Sequence, residues 1–181
     1  MDYLESIVEL KNILSSNFTD RIIPLINKKS TKNLMVSSGL NQDVRNVKGY
    51  HLNFETPTNL FYWNFIKKEI EKTYVHYKGK FPKMKSDKIN QIDLLKYSPG
   101  GKYEVHTDHF SNSPRHLSII MNLNDEYEGG DLIFTDQKDN VVKRLKLGKG
   151  SIVFFPSNFM YPHGITPITE GTRYSVVAWL Q

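Results

Sequence analysis

Three observations in this sequence predict an α+β fold, mainly β, with packing helices in the N-terminal half and a sandwich or jelly-roll core behind them. Apolar residues recur at three- to four-residue steps in two stretches before residue 80. After residue 91 the pattern changes to short β-branched and aromatic runs separated by turn signals. A chain of 181 residues is long enough to bury one core and too short for two comfortable ones. We therefore expect a single domain over 1–181, with helical support over about 1–90 and a β-core over about 91–181.

In the first 30 residues, Leu4, Ile7, Val8 and Leu10, then Ile22, Ile23, Leu25 and Ile26, sit at helical spacing, with breaks around Ser15 to Asp20 and at Pro24. Helices are expected to open the fold. The second helix is expected over Asn59 to Tyr77: Thr56-Pro57-Thr58 supplies a start signal, and Leu60, Trp63, Ile66, Ile70 and Tyr74 mark one face. Lys78 to Lys88, rich in lysine and interrupted by Pro82, reads as a solvated connection. Strands are expected at Ile92–Tyr97, Tyr103–Thr107, Leu117–Leu123, Leu132–Thr135, Val141–Leu145, Ser151–Phe155 and Arg173–Leu180. Turns at Pro99-Gly100-Gly101, Gly129-Gly130, Asp139-Asn140 and Gly148-Lys149-Gly150 separate them.

A hydrophobic share of 39% and a charged share of 24% place the chain with globular rather than disordered proteins. The net charge of +5 is spread along the chain, which is weak support for a nucleic-acid partner. Without a single cysteine, any metal here must be held by imidazole and carboxylate. No apolar run reaches spanning length, and the N-terminus MDYLESIVELKN lacks a signal-type apolar segment, so no membrane partner and a cytoplasmic location are expected.

The chemistry is concentrated in YEVHTDHF. His106 and Asp108 are two residues apart in an expected strand, where alternate side chains share a face, so an imidazole and a carboxylate can converge on one point. His163 is the obvious third ligand. Two histidines and one carboxylate leave about three of six octahedral positions open, the donor set of a non-haem iron(II) centre. A His-x-Asp pair alone is unspecific, but Arg173 adds a second signal. It heads an apolar strand, where an unpaired guanidinium is expensive to bury and calls for a carboxylate partner. His109, His116, His51 and His76 have no partners at ligand spacing and read as loop or surface residues. Phe154, Phe155 and Phe159 read as core and rim packing, and Arg115 as pairing with a nearby carboxylate.

Taken in order, Tyr97, Gly100-Gly101, Tyr103, His106-Thr107-Asp108, Arg115, Leu123-Asn124, Gly129-Gly130, Gly148 to Phe155, His163, Arg173 and Trp179 resemble the core of the prolyl hydroxylase branch of the 2-oxoglutarate oxygenases. The resemblance covers about Ile92 to Gln181 and implies a double-stranded β-helix (jelly roll) with Fe(II), 2-oxoglutarate and O2, and ascorbate as an accessory. It puts His106, Asp108 and His163 in the metal-ligand places and Arg173 in that of the basic residue for the distal carboxylate of oxoglutarate. Tyr97 takes the place of a pocket tyrosine, with Ser118 and Leu132 lining the same pocket and Asn122 standing where animal oxygen-sensing members have a tyrosine against oxoglutarate. Tyr103, Arg45 and Trp179 are pocket or substrate candidates, although Trp179 also reads as core. Met35 to Asn53 resembles the family's mobile substrate loop, or is an ordinary surface loop.

The implied activity is hydroxylation of a prolyl residue in a peptide or protein, with release of succinate and CO2. Two alternatives remain at this level. One is a nucleic-acid demethylase of the same superfamily, which usually carries a second arginine where this chain has Trp179. The other is a non-catalytic metal-binding jelly-roll module.

Overall fold

The computed structural model describes residues 2–35, 39–109 and 114–181, so the start of the polar run from Ser37 to Gly49 lies outside the described residues. A 3-10 turn (Tyr3–Ser6) leads into β1 (Val8–Leu10), α1 (Ser16–Lys29), the short strands β2 (Lys32–Asn33), β3 (Arg45–Asn46) and β4 (Lys48–His51), and then α2 (Pro57–Lys80). The β-core follows with β5 (Ile89–Tyr97), β6 (Lys102–His106), β7 (Leu117–Asn122), β8 (Tyr127–Gly129) and β9 (Leu132–Thr135). It continues through β10 (Val141–Leu145), β11 (Ile152–Pro156), β12 (His163–Ile165), β13 (Ile168–Gly171) and β14 (Arg173–Leu180).

These strands form a seven-stranded sheet in the order β1-β11-β7-β14-β5-β4-β2 and a five-stranded sheet in the order β10-β9-β12-β6-β3, with β8 and β13 paired separately. Their antiparallel ladders build the mainly β jelly roll that the strand spacing predicts.

The period-2 alternation of the large sheet divides the core in two. Ile92 and Leu94 of β5, Leu117, Ile119 and Met121 of β7, Phe154 of β11 and Val176, Ala178 and Leu180 of β14 pack against Phe18, Ile22, Trp63, Ile66 and Ile70 of the helices. On the other face, Leu95, Tyr97, Ile120, Val153 and Phe155 meet Leu132, Phe134 and Ile165 of the small sheet. Polar side chains of the same strands, among them Asp93, Ser118, Ser175 and Arg173, share that second, inter-sheet face, which is where a site can be built.

Several local expectations are corrected. Leu4 to Leu10 forms no α-helix: after the 3-10 turn, Ile7 belongs to the inter-sheet cluster while Val8 and Leu10 pack on the helical side, and Val8 pairs with Phe154, so an edge strand buries both sets. Pro24 does not end a helix. Its ring removes one ladder bond, and the burial of Phe18, Ile22, Leu25 and Ile26 on one side of α1 outweighs that loss. The second helix runs further than expected, from Pro57 at N1, with the Thr56 hydroxyl accepting from the Asn59 amide at 3.1 Å, to Lys80, so the solvated connection starts later. The first 90 residues are more than helical support, because β1, β2 and β4 extend the large sheet and β3 the small one. Phe154 and Phe155 are core, but Phe159 is 68% exposed and belongs to neither buried cluster. Among the described residues no helix is long and apolar enough to cross a membrane.

Candidate metal centre and cosubstrate pocket

Antiparallel pairing of β6 and β12 sets His163 directly opposite His106. Asp108 is not on the strand as expected; β6 ends at His106, and the carboxylate turns in from the residues just beyond. Its Oδ1 lies 3.3 Å from His106 Nε2 and its Oδ2 3.4 Å from His163 Nε2. Among the described residues these three form the group whose ligand atoms all lie within 4.8 Å of one another, the spacing of donors around one ion.

The tautomers follow from the backbone. His106 Nδ1 lies 2.9 Å from the Glu104 carbonyl and His163 Nδ1 3.1 Å from that of Tyr161. A carbonyl only accepts, so each Nδ1 carries a proton, which leaves Nε2, the atom nearest Asp108, as the one available to a metal. Asp108 Oδ2 accepts from Ser118 Oγ at 2.7 Å and from Trp179 Nε1 at 2.9 Å, which fixes the carboxylate plane. Burial is the largest influence on Asp108 and pushes its carboxyl up, but the two histidines together hold it well below the usual carboxylate range. Burial, helped by His163, pushes His106 below its ordinary value. Both shifts favour the ligating forms, an ionised Asp108 and a neutral His106, and two imidazoles with one carboxylate make a donor set that fits a divalent iron ion. Tyr103 stacks on His106 at 3.7 Å between centroids, and Phe155 meets His163 edge-on at 4.6 Å, so neither ring is free to turn.

A cavity adjoins this centre, with an empty volume of about 430 Å3 when counted out to its open mouth. Leu95, Ile120, Ile165 and Val177 make its walls apolar, and Arg173 stands in its lining with the three candidate ligands. The Arg173 side chain is 1% exposed, yet among the described residues its Nε and Nη2 have no hydrogen-bond partner. Its Nη1 donates to Ser175 Oγ at 3.3 Å, and its guanidinium lies 5.3 Å from the centre of the Tyr97 ring. Burial raises the Tyr97 phenol above its ordinary value against the opposing pull of Arg173, so the phenol stays a hydrogen-bond donor. At Gly130, φ +65°, a Cβ would collide with Ile168 Cδ1 and sit 3.1 Å from Arg173 Cδ, so the glycine leaves room for both side chains.

Of the other candidate pocket residues, Tyr97, Tyr103, Arg45 and Trp179 line this cavity; Ser118, Asn122 and Leu132 are not in its lining. Ser118 acts on Asp108 from behind. Asn122 is taken up in structure, its amide donating to the carbonyls of Asn124 and Leu147 and its oxygen accepting from Tyr127. Leu132 is wholly buried in the inter-sheet core.

The mouth holds what the sequence did not show. His51 pairs with Asp93 across β4 and β5 at 2.7 Å, and this bond is the main cause that raises the His51 pKa. Gln91 Nε2 donates to Asp93 at 2.8 Å, Arg115 Nη2 donates to Gln91 Oε1 at 2.9 Å, and the Arg115 guanidinium lies 3.8 Å from the Trp179 ring centre. Arg115 is thus held by an amide and an indole as well as by the chain. His51 and Asp93 are 42 residues apart, and only strand register makes them neighbours.

The fold and this centre define a jelly-roll protein with a two-histidine, one-carboxylate site. Residues 92–181 match the model of the 2OG-Fe(II) oxygenase superfamily. A PKHD-type hydroxylase of Prochlorococcus marinus is 33% identical over 98 residues, 52% of this chain and 42% of that protein. Another, of Idiomarina loihiensis, is 28% identical over 102 residues, 54% of this chain and 45% of that protein. The chain thus spans under half the length of these curated relatives. A prolyl hydroxylase from Trichoplax adhaerens, solved with a hypoxia inducible factor peptide fragment, superposes with a TM-score of 0.79 at 15% identity, covering 99% of this chain and 86% of that one. A Pseudomonas putida prolyl-4-hydroxylase gives 0.75 at 15%, covering 99% and 95%. At that identity the likeness speaks for the fold. The chain belongs to the 2OG-Fe(II) oxygenase superfamily, and its fold is the one seen in those prolyl hydroxylases. Membership implies Fe(II), 2-oxoglutarate and O2.

Proposed function

We propose that this chain hydroxylates a prolyl residue of a peptide or protein, consuming 2-oxoglutarate and O2 and releasing succinate and CO2. One oxygen atom enters the substrate C–H bond and the other enters succinate. The observation that carries this reading is the buried Arg173, with two unpartnered nitrogens in the same cavity as three convergent ligand atoms. A dicarboxylate answers both ends: its far carboxylate accepts from the guanidinium while its keto-acid end lies toward the metal site.

His106 Nε2, His163 Nε2 and Asp108 would hold the iron, which when bound supplies the dioxygen-activating chemistry. The rest is done by the chain. Arg173 and the Tyr97 phenol orient the cosubstrate, the aliphatic walls exclude water, and Arg45, lying 4.5 Å over Tyr103, borders the side from which substrate enters. Trp179 stands where a nucleic-acid demethylase usually has a second arginine, and its indole is committed to Asp108.

The test is turnover of a panel of proline-containing peptides by the iron-loaded chain, with and without ascorbate, reading succinate and the mass of one added oxygen. Coupled appearance of both supports the reading. Succinate release stimulated only by methylated single-stranded DNA would move the assignment to the demethylases, and tight binding of metal and oxoglutarate without turnover on any substrate class would favour a binding module.

Ser118 and Trp179 supply a milder check. Replacing both, as Ser118→Ala with Trp179→Phe, removes two donors from Asp108 Oδ2, and metal affinity is expected to fall about ten- to hundredfold. Metal titration with thermal melts reads it; unchanged affinity in a folded variant would show that the carboxylate needs no such support.

A further inference from the structure

Beside the mouth lies a second cleft, formed where the residues after α2 pass the start of β7 and the end of β11. Three of its lining residues are cationic, Lys83, Lys85 and Arg115, and among the described residues no carboxylate lines it. Lys83 and Lys85 are exposed, and among the described residues neither makes an ion pair. Arg115 lines both this cleft and the mouth of the metal-site cavity, so the two are contiguous. Met84 and Pro156 give the cleft an aliphatic component, and its one aromatic residue of the Phe, Tyr and Trp class, Tyr77, is buried in the helical core.

From this we propose that the cleft docks an acidic stretch of the substrate polypeptide, Asp- or Glu-rich, flanking the residue that is oxidised. The inference deepens the peptide-hydroxylase reading above and rests on it for the direction of the chain. An extended polypeptide advances about 3.3 to 3.6 Å per residue, so a few residues lead from a mouth into an adjoining cleft. Unpaired lysines offer carboxylates attraction without an internal partner to displace. A nucleic acid would satisfy the charge equally, but single strands are held largely by stacking on exposed aromatic rings, and among the described residues the cleft presents no exposed Phe, Tyr or Trp.

The experiment uses the full chain with iron and oxoglutarate and three labelled peptides that differ only in their flanks: one proline among Glu, Gln or Lys residues. Hydroxylation gives KM and kcat, and anaerobic fluorescence anisotropy gives binding without turnover. For the Glu-flanked peptide, KM is expected to be lower than for the Gln-flanked one by on the order of tenfold at low ionic strength, with the gap closing as salt is added. In Lys83→Glu with Lys85→Glu the gap should vanish or invert, while kcat and the KM for oxoglutarate stay as in the native chain. The salt dependence is read on the native protein and so does not depend on the variant folding.

Equal KM values for the Glu and Gln peptides, or a folded variant that keeps the preference, overturn the inference and leave the prolyl reading intact. If no proline peptide is hydroxylated, anisotropy still decides. Salt-dependent binding of the Glu peptide, lost in the variant, upholds the acidic-segment site while the prolyl substrate is abandoned, and no such binding sinks it. Tighter binding of a single-stranded oligonucleotide of equal charge through the same lysines also overturns it.

Discussion

Arg173→Met should leave the chain folded but raise the oxoglutarate concentration for half-maximal turnover by on the order of hundredfold, corresponding to about 3 kcal/mol for losing one side of a buried, hydrogen-bonded charge pair. The native guanidinium is 1% exposed and two of its nitrogens have no partner among the described residues. A bound carboxylate would therefore gain the bidentate bonds that these two nitrogens lack within the described protein. At saturating oxoglutarate the turnover number should change much less, because the arginine lies away from the metal ligands and holds rather than reacts. A second readout has the opposite sign. In the absence of ligands Arg173→Met should melt no lower than the native chain, since an uncompensated buried charge is replaced by an apolar side chain of similar length. Adding a redox-silent divalent metal with oxoglutarate should then raise the native melting temperature and hardly move that of the variant. Arg173→Lys, which keeps the charge but loses the planar fork, belongs between the two. An unaltered oxoglutarate dependence in Arg173→Met would place the carboxylate anchor elsewhere.

The position of Arg173 shows which parts of the fold are legible in the sequence. In β14 the eight residues Arg173–Leu180 alternate faces without interruption, so alternation alone assigns Arg173, Ser175, Val177 and Trp179 to one side. That strand pairs on both edges, with β5 and β7, and such a strand must carry its pattern along its whole length. His163 is legible as a residue but not as part of a strand: β12 is three residues long, between Pro162 and Pro167, too short for periodicity to register. The edge strands at the N-terminus are hidden for a related reason. Val8 is a strand residue only because Phe154 is its partner, and nothing local to MDYLESIVELKN encodes a pairing made 146 residues away.

The site divides in the same way. Residue types with one dominant use, an imidazole two positions from a carboxylate or an arginine in an apolar strand, are visible by themselves. Asn122 and Leu132 take their expected places from family position, and the face of a strand does not reveal which neighbour a side chain meets. Asn122 shares the inter-sheet face with Ser118 and Ile120, yet the carbonyls of Asn124 and Leu147 reach it first. The chain of contacts at the mouth, from His51 through Asp93 and Gln91 to Arg115, joins residues of three separate segments and depends on register alone.

Asp108→Asn tests the metal centre with little change of shape, and it is expected to weaken metal binding by on the order of hundredfold or more and reduce hydroxylation to background. If the roughly 10–16 kcal/mol of a four-ligand structural zinc site is shared equally, each ligand accounts for about 3 kcal/mol. Asparagine also removes the only negative charge among the three donors. The fold should survive, because an amide oxygen at the position of Oδ2 can still accept from Ser118 and Trp179. That arrangement turns the NH2 group toward His106 Nε2, whose lone pair can accept from it, so the metal-free variant is satisfied internally while the metal position faces a donor hydrogen. The melting temperature without metal should therefore be close to native, and the increase on adding metal should disappear. In the native chain the pH dependence has a definite sign. Asp108 is held well below the usual carboxylate range and His106 below its ordinary value, so both stay in their ligating forms as pH falls through neutrality. Metal affinity should then hold to below about pH 6.5, the ordinary imidazole value, before protons compete with it. Native-like metal affinity in a folded Asp108→Asn would remove the carboxylate from the centre and, with it, the facial arrangement of donors on which the oxygenase reading depends.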